Sequence, residues 1–391
     1  MRKTRFLLST TMASFCLLNV YSCNFNTPTN EALETAQAGV LVHPEPEKQF
    51  VKIALLLDTS NSMDGLINQA KAQLWDIVNE FSYAKCGNDQ RPELQIALYE
   101  YGNDNLSSRE GYLRQVLPFS SDLDDISEKL FSLSTNSGEE YCGTVINTSL
   151  KQLDWGKNQD DLKLIFIAGN EPFTQGGLNY KDAASQAKEK DVVVNTIFCG
   201  NYAQGIATQW KDGAIRTGGD YMAIDHNAEQ IYVHTPYDNQ IMRLNSKLNQ
   251  TYVAYGSLGN AKLQKQREQD SNAYEVEAEV AVNRAVSKSS KMYKNSSWDL
   301  VDAVEDKAVS VSELEEDALP NELRGKTDEE INTILKKRKA EREKLQSEIQ
   351  KLNGKREIYI AKQANKGGEL ENAMLNAIKK QAAKKHFRWE K

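Results

Sequence analysis

The sequence predicts an α/β fold: a doubly wound, Rossmann-like domain followed by a mainly α-helical C-terminal region. Phe50-Val51-Lys52-Ile53-Ala54-Leu55-Leu56-Leu57 is a near-continuous apolar run, the pattern of a strand buried on both faces of a parallel sheet. Strand-like and helix-like segments then alternate as far as residue 224, as expected when each strand is followed by a covering helix. Past Pro236 the strand signal fades, and apolar residues recur mainly at helical spacing.

The first strand stops at Asp58, after which Leu66, Ile67, Ala70, Leu74, Ile77, Val78 and Phe81 fall on one helical face. Leu94 to Tyr101 reads as a strand with Leu94, Ile96 and Leu98 on one side. Residues 123–134 and 144–155 read as helices, Leu164 to Ala168 as a buried strand and 180–190 as a helix. Val192 to Phe198 is a strand, 203–217 a helix and Tyr221 to Ile224 a last short strand. These elements bound a domain at 48–232, whose ligands are expected at the C-terminal ends of its strands. Residues 233–310 are expected as a helical extension opening on Ile241, Leu244, Leu248 and Tyr252. Residues 311–326, with Pro320 and Gly325, are expected as a linker, and 327–391 as a helical tail. In the tail Ile331, Leu335, Leu345, Ile349, Leu352 and Tyr359 follow the repeat of a coiled coil, although Arg338, Arg342 and Arg356 share that seam. Gly367-Gly368 breaks the helix, and Leu370, Met374, Ala377, Ile378 and Gln381 outline a shorter one.

With 391 residues, 26% charged and 40% hydrophobic, the chain is globular in composition, which excludes wholesale disorder, a collagen-like repeat and a polytopic membrane protein. Arg2, Lys3 and Arg5 precede the apolar stretch Phe6 to Val20, the layout of a secretory signal peptide over residues 1–22. The apolar stretch is too short for a comfortable membrane span. Cys23 after Ser22 resembles a lipobox cysteine, so lipidation at Cys23 is expected, with residues 23–47 as a flexible tether. The protein is then exported and held at the cell envelope as a membrane-anchored lipoprotein, facing the periplasm or the cell surface. An ordinary signal peptide or an uncleaved anchor is the alternative.

Loss of the leader takes the formal charge from −7 to −10, while residues 326–391 hold 18 Lys and Arg against 10 Asp and Glu. Those charges alternate in sign as on a solvated helix, so nucleic acid is not an expected partner. Cys86, Cys142 and Cys199 have no metal-type spacing. They make either one bridge, with Cys142 and Cys199 as the candidate pair at the strand ends, or three buried thiols.

Asp58-Thr59-Ser60-Asn61-Ser62 lies where the first strand gives way to the first helix. Asp58, Ser60 and Ser62 alternate along the loop and bring hard oxygen donors, suited to Mg²⁺, Ca²⁺ or Mn²⁺ and ill suited to zinc. The same residue types are favoured helix N-caps, so the segment alone reads either way.

Together with the α/β alternation, Asp58-Thr59-Ser60-Asn61-Ser62-Met63, Cys142-Gly143-Thr144 and the Gly218-Gly219 turn resemble a von Willebrand factor type A domain over about 48–232. The resemblance implies a metal ion-dependent adhesion site in which Ser60, Ser62 and Thr144 are ligands, with Asp58 acting often through water. The family places Thr-Asp-Gly after the fourth strand, where this chain has Ala168-Gly169-Asn170-Glu171. The expected acid falls on Gly169. Asn170 or Glu171 compensates if the loop shifts by one residue; otherwise the ion is weakly held, or absent until a partner supplies an acid.

No GxSxG elbow, P-loop lysine, HExxH or GxGxxG motif is present, so catalysis is not expected. The reading is a protein–protein binding or scaffolding module, with a partner's acidic side chain completing the metal shell. The alternatives are a metal-dependent hydrolase, an accessory subunit of an enzyme complex, or a structural domain with a vestigial site. Phe173, beside the loop, is either a contact residue or a cover for the core edge.

Overall fold

The computed structural model describes residues 48–87, 89–225, 227, 232–363 and 369–390. The signal peptide, the tether, Cys23 and Gly367-Gly368 lie outside the described residues.

The apolar run forms β1 (Phe50–Asp58), in which Val51, Ile53, Leu55 and Leu57 face one side of the sheet and Ala54 and Leu56 the other. In chain order there follow α1 (Asp64–Phe81), β2 (Ala84–Lys85), β3 (Glu93–Tyr101), β4 (Leu113–Ser120), α2 (Leu123–Phe131), α3 (Cys142–Gln152) and β5 (Leu162–Gly169). Then come α4 (Tyr180–Glu189), β6 (Val193–Cys199), α5 (Tyr202–Ala207), α6 (Trp210–Ile215) and β7 (Tyr221–Ile224). Six strands make one sheet in the order β4-β3-β1-β5-β6-β7, parallel except for β4 at the edge. The expected helix over 203–217 is two short ones, broken at Gln209, whose φ is +74°.

The sheet is covered on both sides. Residues of α3, α4 and α6 pack on Ala54, Leu56, Ile165 and Ile167. On the other side, α1 and α2 pack on the odd-numbered residues of β1, and Trp75 is fully buried there. Most helices beyond β7 join that second side: α7 (Asp238–Leu248), α8 (Gly259–Val276), α9 (Ala278–Lys288), α11 (Asp328–Gln363) and α12 (Glu369–Ala383), while α10 (Leu300–Glu305) packs in a smaller apolar cluster with Val253 and Ile331. Ile241, Leu248, Ala273, Val282, Ile349 and Ile378 belong to the same apolar core as α1. Lys48–Lys391 accordingly form one compact unit. The chain closes on itself through β8 (Arg388–Trp389), which pairs antiparallel with β2.

Two expectations about the C-terminal region meet a different structure. The segment 311–326 folds into short 3₁₀ turns, and Val311, Leu319 and Leu323 are buried with Val253, Leu300 and Ile331. Enough apolar side chain lies between Pro320 and its neighbours for the segment to pack rather than span. The seam of α11 is buried against its own chain and not against a second long helix. Arg342 pairs with Asp299 and Asp302, and Arg356 with Asp238 and Glu279. These arginines interrupt the coiled-coil repeat because each meets its own acid on α7, α9 or α10 or at the start of α10.

Candidate metal centre

β1 is the strand at which the sheet order reverses, flanked by β3 and β5, and such a switch point leaves a crevice at the C-terminal strand ends. Register fixes what meets there: Asp58 lies opposite Tyr101, and Leu57 opposite Ala168. Asp58, Tyr101 and Gly169 are therefore side by side. Asp58 is fully buried, and one of its carboxylate oxygens, Oδ1, accepts the Ser60 N–H at 2.7 Å. Thr59 donates its N–H to the Tyr101 carbonyl at 2.8 Å, and Asn136 donates to the Thr59 carbonyl at 2.9 Å. Met63 is buried, which pins the far end of the loop.

Ser62 lies on the exposed side, where its hydroxyl accepts from Asn170 Nδ2 at 3.2 Å. The structure thus brings together Asp58, Ser60, Ser62 and Asn170. Thr144 stands in the first turn of α3, its methyl 3.1 Å from where a Cβ on Gly111 would lie. Among the described residues no hydrogen bond joins Thr144 to the Asp58–Ser62 loop. Glu171 is exposed, and its N–H donates to Glu140 Oε2 at the centre.

The sequence pattern did not single out Glu140, which the fold places against Asp58. It is 2% exposed, and its Oε2 accepts the Glu171 N–H at 3.2 Å. Its own N–H donates to Gln175 Oε1 at 2.9 Å, while Gln175 Nε2 donates to Glu139 Oε2 at 2.9 Å. The signal available in the sequence was an acidic pair, Glu139-Glu140, shortly before Gly143-Thr144.

Burial first, and the Glu140 carboxylate second, push the Asp58 carboxyl well above its ordinary value. Burial raises Glu140 as well. Two carboxyls this close and this buried hold a proton or a cation between them. The Ser60 hydroxyl lies close enough to steady the charged form of both, yet it makes no hydrogen bond of normal geometry. Asp58 Oδ2, Ser60 Oγ and Asn170 Oδ1 are buried oxygens with no hydrogen-bond partner. Unpaired buried oxygens of this kind cost free energy unless something satisfies them. All are hard donors, so the set fits an alkaline-earth-type or Mn²⁺ cation. Among the described residues no three His, Cys, Asp or Glu side chains gather into a metal-binding group; the cluster here mixes two carboxylates with hydroxyl and amide oxygens.

Of the two readings of the cysteines, the structure has three buried thiols: Cys86, Cys142 and Cys199 are all free, and the candidate bridge between Cys142 and Cys199 is not formed. Cys142 packs with the α3 side of the sheet and Cys199 with the α1 side, so the sheet stands between them. Burial pushes both thiols up, which keeps them neutral and poor as metal ligands. Phe173 is 1% exposed and stacks edge-on against Tyr180 and Trp210, so it is core.

A family model for the von Willebrand factor type A domain matches residues 52–206. No curated protein matches. Among solved structures, the conserved hypothetical protein BatB from Bacteroides thetaiotaomicron is similar at 17% identity and a TM-score of 0.34, over 45% of this chain and 90% of that one. An aerotolerance-related membrane protein from Bacteroides fragilis is similar at 16% identity and a TM-score of 0.32, over 45% and 92%. Proximal thread matrix protein 1 from the mussel byssus, solved with a zinc-occupied MIDAS motif, is similar at 16% identity and a TM-score of 0.34. That match covers 45% of this chain and 42% of the mussel protein. From its sequence match and its fold alike, the chain carries a von Willebrand factor type A domain at residues 52–206.

Proposed function

We propose that the protein is a non-catalytic interaction or scaffolding module of the cell envelope, whose type A domain binds a protein partner with the help of a divalent cation. The observation that carries this reading is the set of unpaired buried oxygens at the strand ends, Asp58 Oδ2, Ser60 Oγ and Asn170 Oδ1. Asp58, Ser60 and Ser62 would hold the ion, with Asn170 beside them and Thr144 joining from the first turn of α3. Mg²⁺ is the first candidate, with Ca²⁺ and Mn²⁺ as alternatives. When bound, the cation supplies an electrophilic contact point for an acidic side chain of the partner. Asp58 contributes charge, and the tight loop fixed by Thr59 and Met63 keeps the donors in place before the partner arrives.

Placement at the envelope rests on the leader, Arg2, Lys3 and Arg5 ahead of Phe6 to Val20, and on Cys23 as the lipidated residue. Among the described residues no helix is long and apolar enough to cross a membrane.

The test is thermal unfolding of the full-length protein in EDTA and in millimolar Mg²⁺, Mn²⁺ and Ca²⁺, beside Asp58→Ala. A ligand of the native state stabilises by RT ln(1 + [L]/Kd), about 2.7 kcal/mol at a hundred times Kd. The expected result is an ion-dependent rise that Asp58→Ala abolishes. Immobilised protein should likewise retain envelope proteins in Mg²⁺ and release them in EDTA. No shift with any ion would mark the site as vestigial and leave a purely structural domain.

A further inference from the structure

Residue 169 has no side chain, yet the space beside it is filled. A Cβ added to Gly169 would lie 2.5 Å from Tyr101 Oη, 3.2 Å from Asp58 Oδ2 and 3.2 Å from Glu140 Oε2. A carboxylate is therefore already present where an acid at 169 would begin, delivered from the loop before α3. We propose that Glu140 is an acidic ligand of the cation site, replacing through space the carboxylate that Gly169 lacks. The assignment rests on the cation reading above and deepens it.

Three features of the surroundings support it. The Glu140 side chain is 2% exposed and is held at Oε2 by the N–H of Glu171, in the same loop that would otherwise have carried the acid. Gly102, with φ +78°, presses on the pair from the end of β3: a Cβ there would lie 2.6 Å from Asp58 Oδ1 and 2.9 Å from Glu140 Cγ. The absence of side chains at 102 and 169 leaves a space that the longer Glu140 side chain fills. Finally, Asp58 Oδ2, buried and unpaired, lies 3.2 Å from the same point beside Gly169 as Glu140 Oε2, and Ser60 Oγ in the Asp58 loop is likewise buried and unpaired. Among the described residues no Lys, Arg or His forms an ion pair with Asp58 or Glu140. Two acids and a hydroxyl enclosed without a cationic side chain are the chemistry of a site that takes its positive charge from an ion. With both acids supplied by this chain, the ion is held before any partner arrives.

Mn²⁺ alone is the probe, titrated into the full-length protein and followed by calorimetry and by thermal unfolding. Three proteins are compared: the parent, Glu140→Gln, and a swap variant combining Glu140→Ala, Gly169→Asp and Tyr101→Phe, the last removing the Oη that crowds position 169. Glu140→Gln is expected to weaken Mn²⁺ binding at least tenfold and to lose most of the ion-dependent rise in melting temperature. In EDTA the same variant is expected to melt at or above the parent, since a buried charge has gone. A parent that shows no Mn²⁺ effect overturns the cation reading and this assignment with it. A parent that binds beside a Glu140→Gln variant of affinity within twofold leaves the cation reading standing and overturns the role of Glu140. Should Glu140→Gln fail to fold, the swap variant decides: Mn²⁺ stabilisation close to the parent's supports replacement through space, and its absence overturns it.

Discussion

Arg342 on α11 donates to Asp299 Oδ2 at 2.7 Å, with both side chains almost wholly buried, and its guanidinium lies 4.4 Å from the centre of the Tyr252 ring. Asp299 in turn caps α10 by accepting from the Asp302 N–H and also accepts from the Val253 N–H at 2.6 Å. The longest helix among the described residues is therefore anchored through one fork-shaped cation to a loop and a helix start. Arg342→Ala would leave two acids buried without their partner, a change that typically costs about 3–5 kcal/mol. Urea unfolding should show that loss, whereas Arg342→Met, which keeps the packing volume, should recover only part of it. A variant as stable as the parent would mean that Asp299 and Asp302 find water or another donor.

Asp270 on α8 offers the corresponding test by pH. Burial by itself would raise its carboxyl, but Lys288 and Arg284 outweigh that and hold it far below the usual carboxylate range. A group whose folded value is depressed gives stability that is present above its unfolded value, near 3.9, and is lost as pH falls towards the folded one. Asp270→Asn should therefore destabilise strongly at neutral pH and progressively less as pH drops below about 4. Unfolding free energies measured from pH 7 to pH 2 for both proteins should draw together below about pH 4 without meeting, because the folded value lies below that range.

Much of the type A domain was legible from residues 50–224. The reason is that buried parallel strands require unbroken apolar runs, and covering helices require a 3.6-residue period. The Asp58–Ser62 loop was legible because its donors alternate within five residues. Glu140 was not, because its role arises from two glycines, Gly102 and Gly169, that lie distant from it in the chain and leave room for it. The antiparallel β4 was hidden by Pro118 and by a half-exposed face. The packing of 311–326 was hidden because Val311, Leu319 and Leu323 follow neither a helical nor a strand period. The free state of Cys142 and Cys199 depends on which face of the sheet each side chain takes, and closeness to one edge does not reveal that.

The cysteine arrangement predicts a thiol count. Cys86, Cys142 and Cys199 should all titrate with a thiol reagent in denaturant without reductant, and none should react at an appreciable rate in the native protein. Their burial, and for Cys86 a value pushed up to about 11, keeps the reactive thiolate scarce. Two missing equivalents among these three would point to a bridge and contradict the packing of Cys142 and Cys199 on opposite faces.

The closeness of Gly169 to Tyr101 gives a prediction that does not depend on any metal. Tyr101 is fully buried and donates its hydroxyl to the Ala168 carbonyl at 2.8 Å, in the residue before Gly169. Gly169→Ala would set a methyl 2.5 Å from that hydroxyl oxygen, and overpacking of this kind costs about 1–3 kcal/mol. The backbone at 169 needs no left-handed conformation, so the whole penalty should be steric. Tyr101→Phe alone should cost about 1 kcal/mol for the lost hydrogen bond. If the clash with Oη is the cause, the double variant should be more stable than the sum of the two single losses implies, because the atom that collides has gone. A double-mutant cycle in EDTA reads this directly. Simple additivity would place the cost of a side chain at 169 on Asp58 and Glu140 instead, the other two groups that the new methyl would touch.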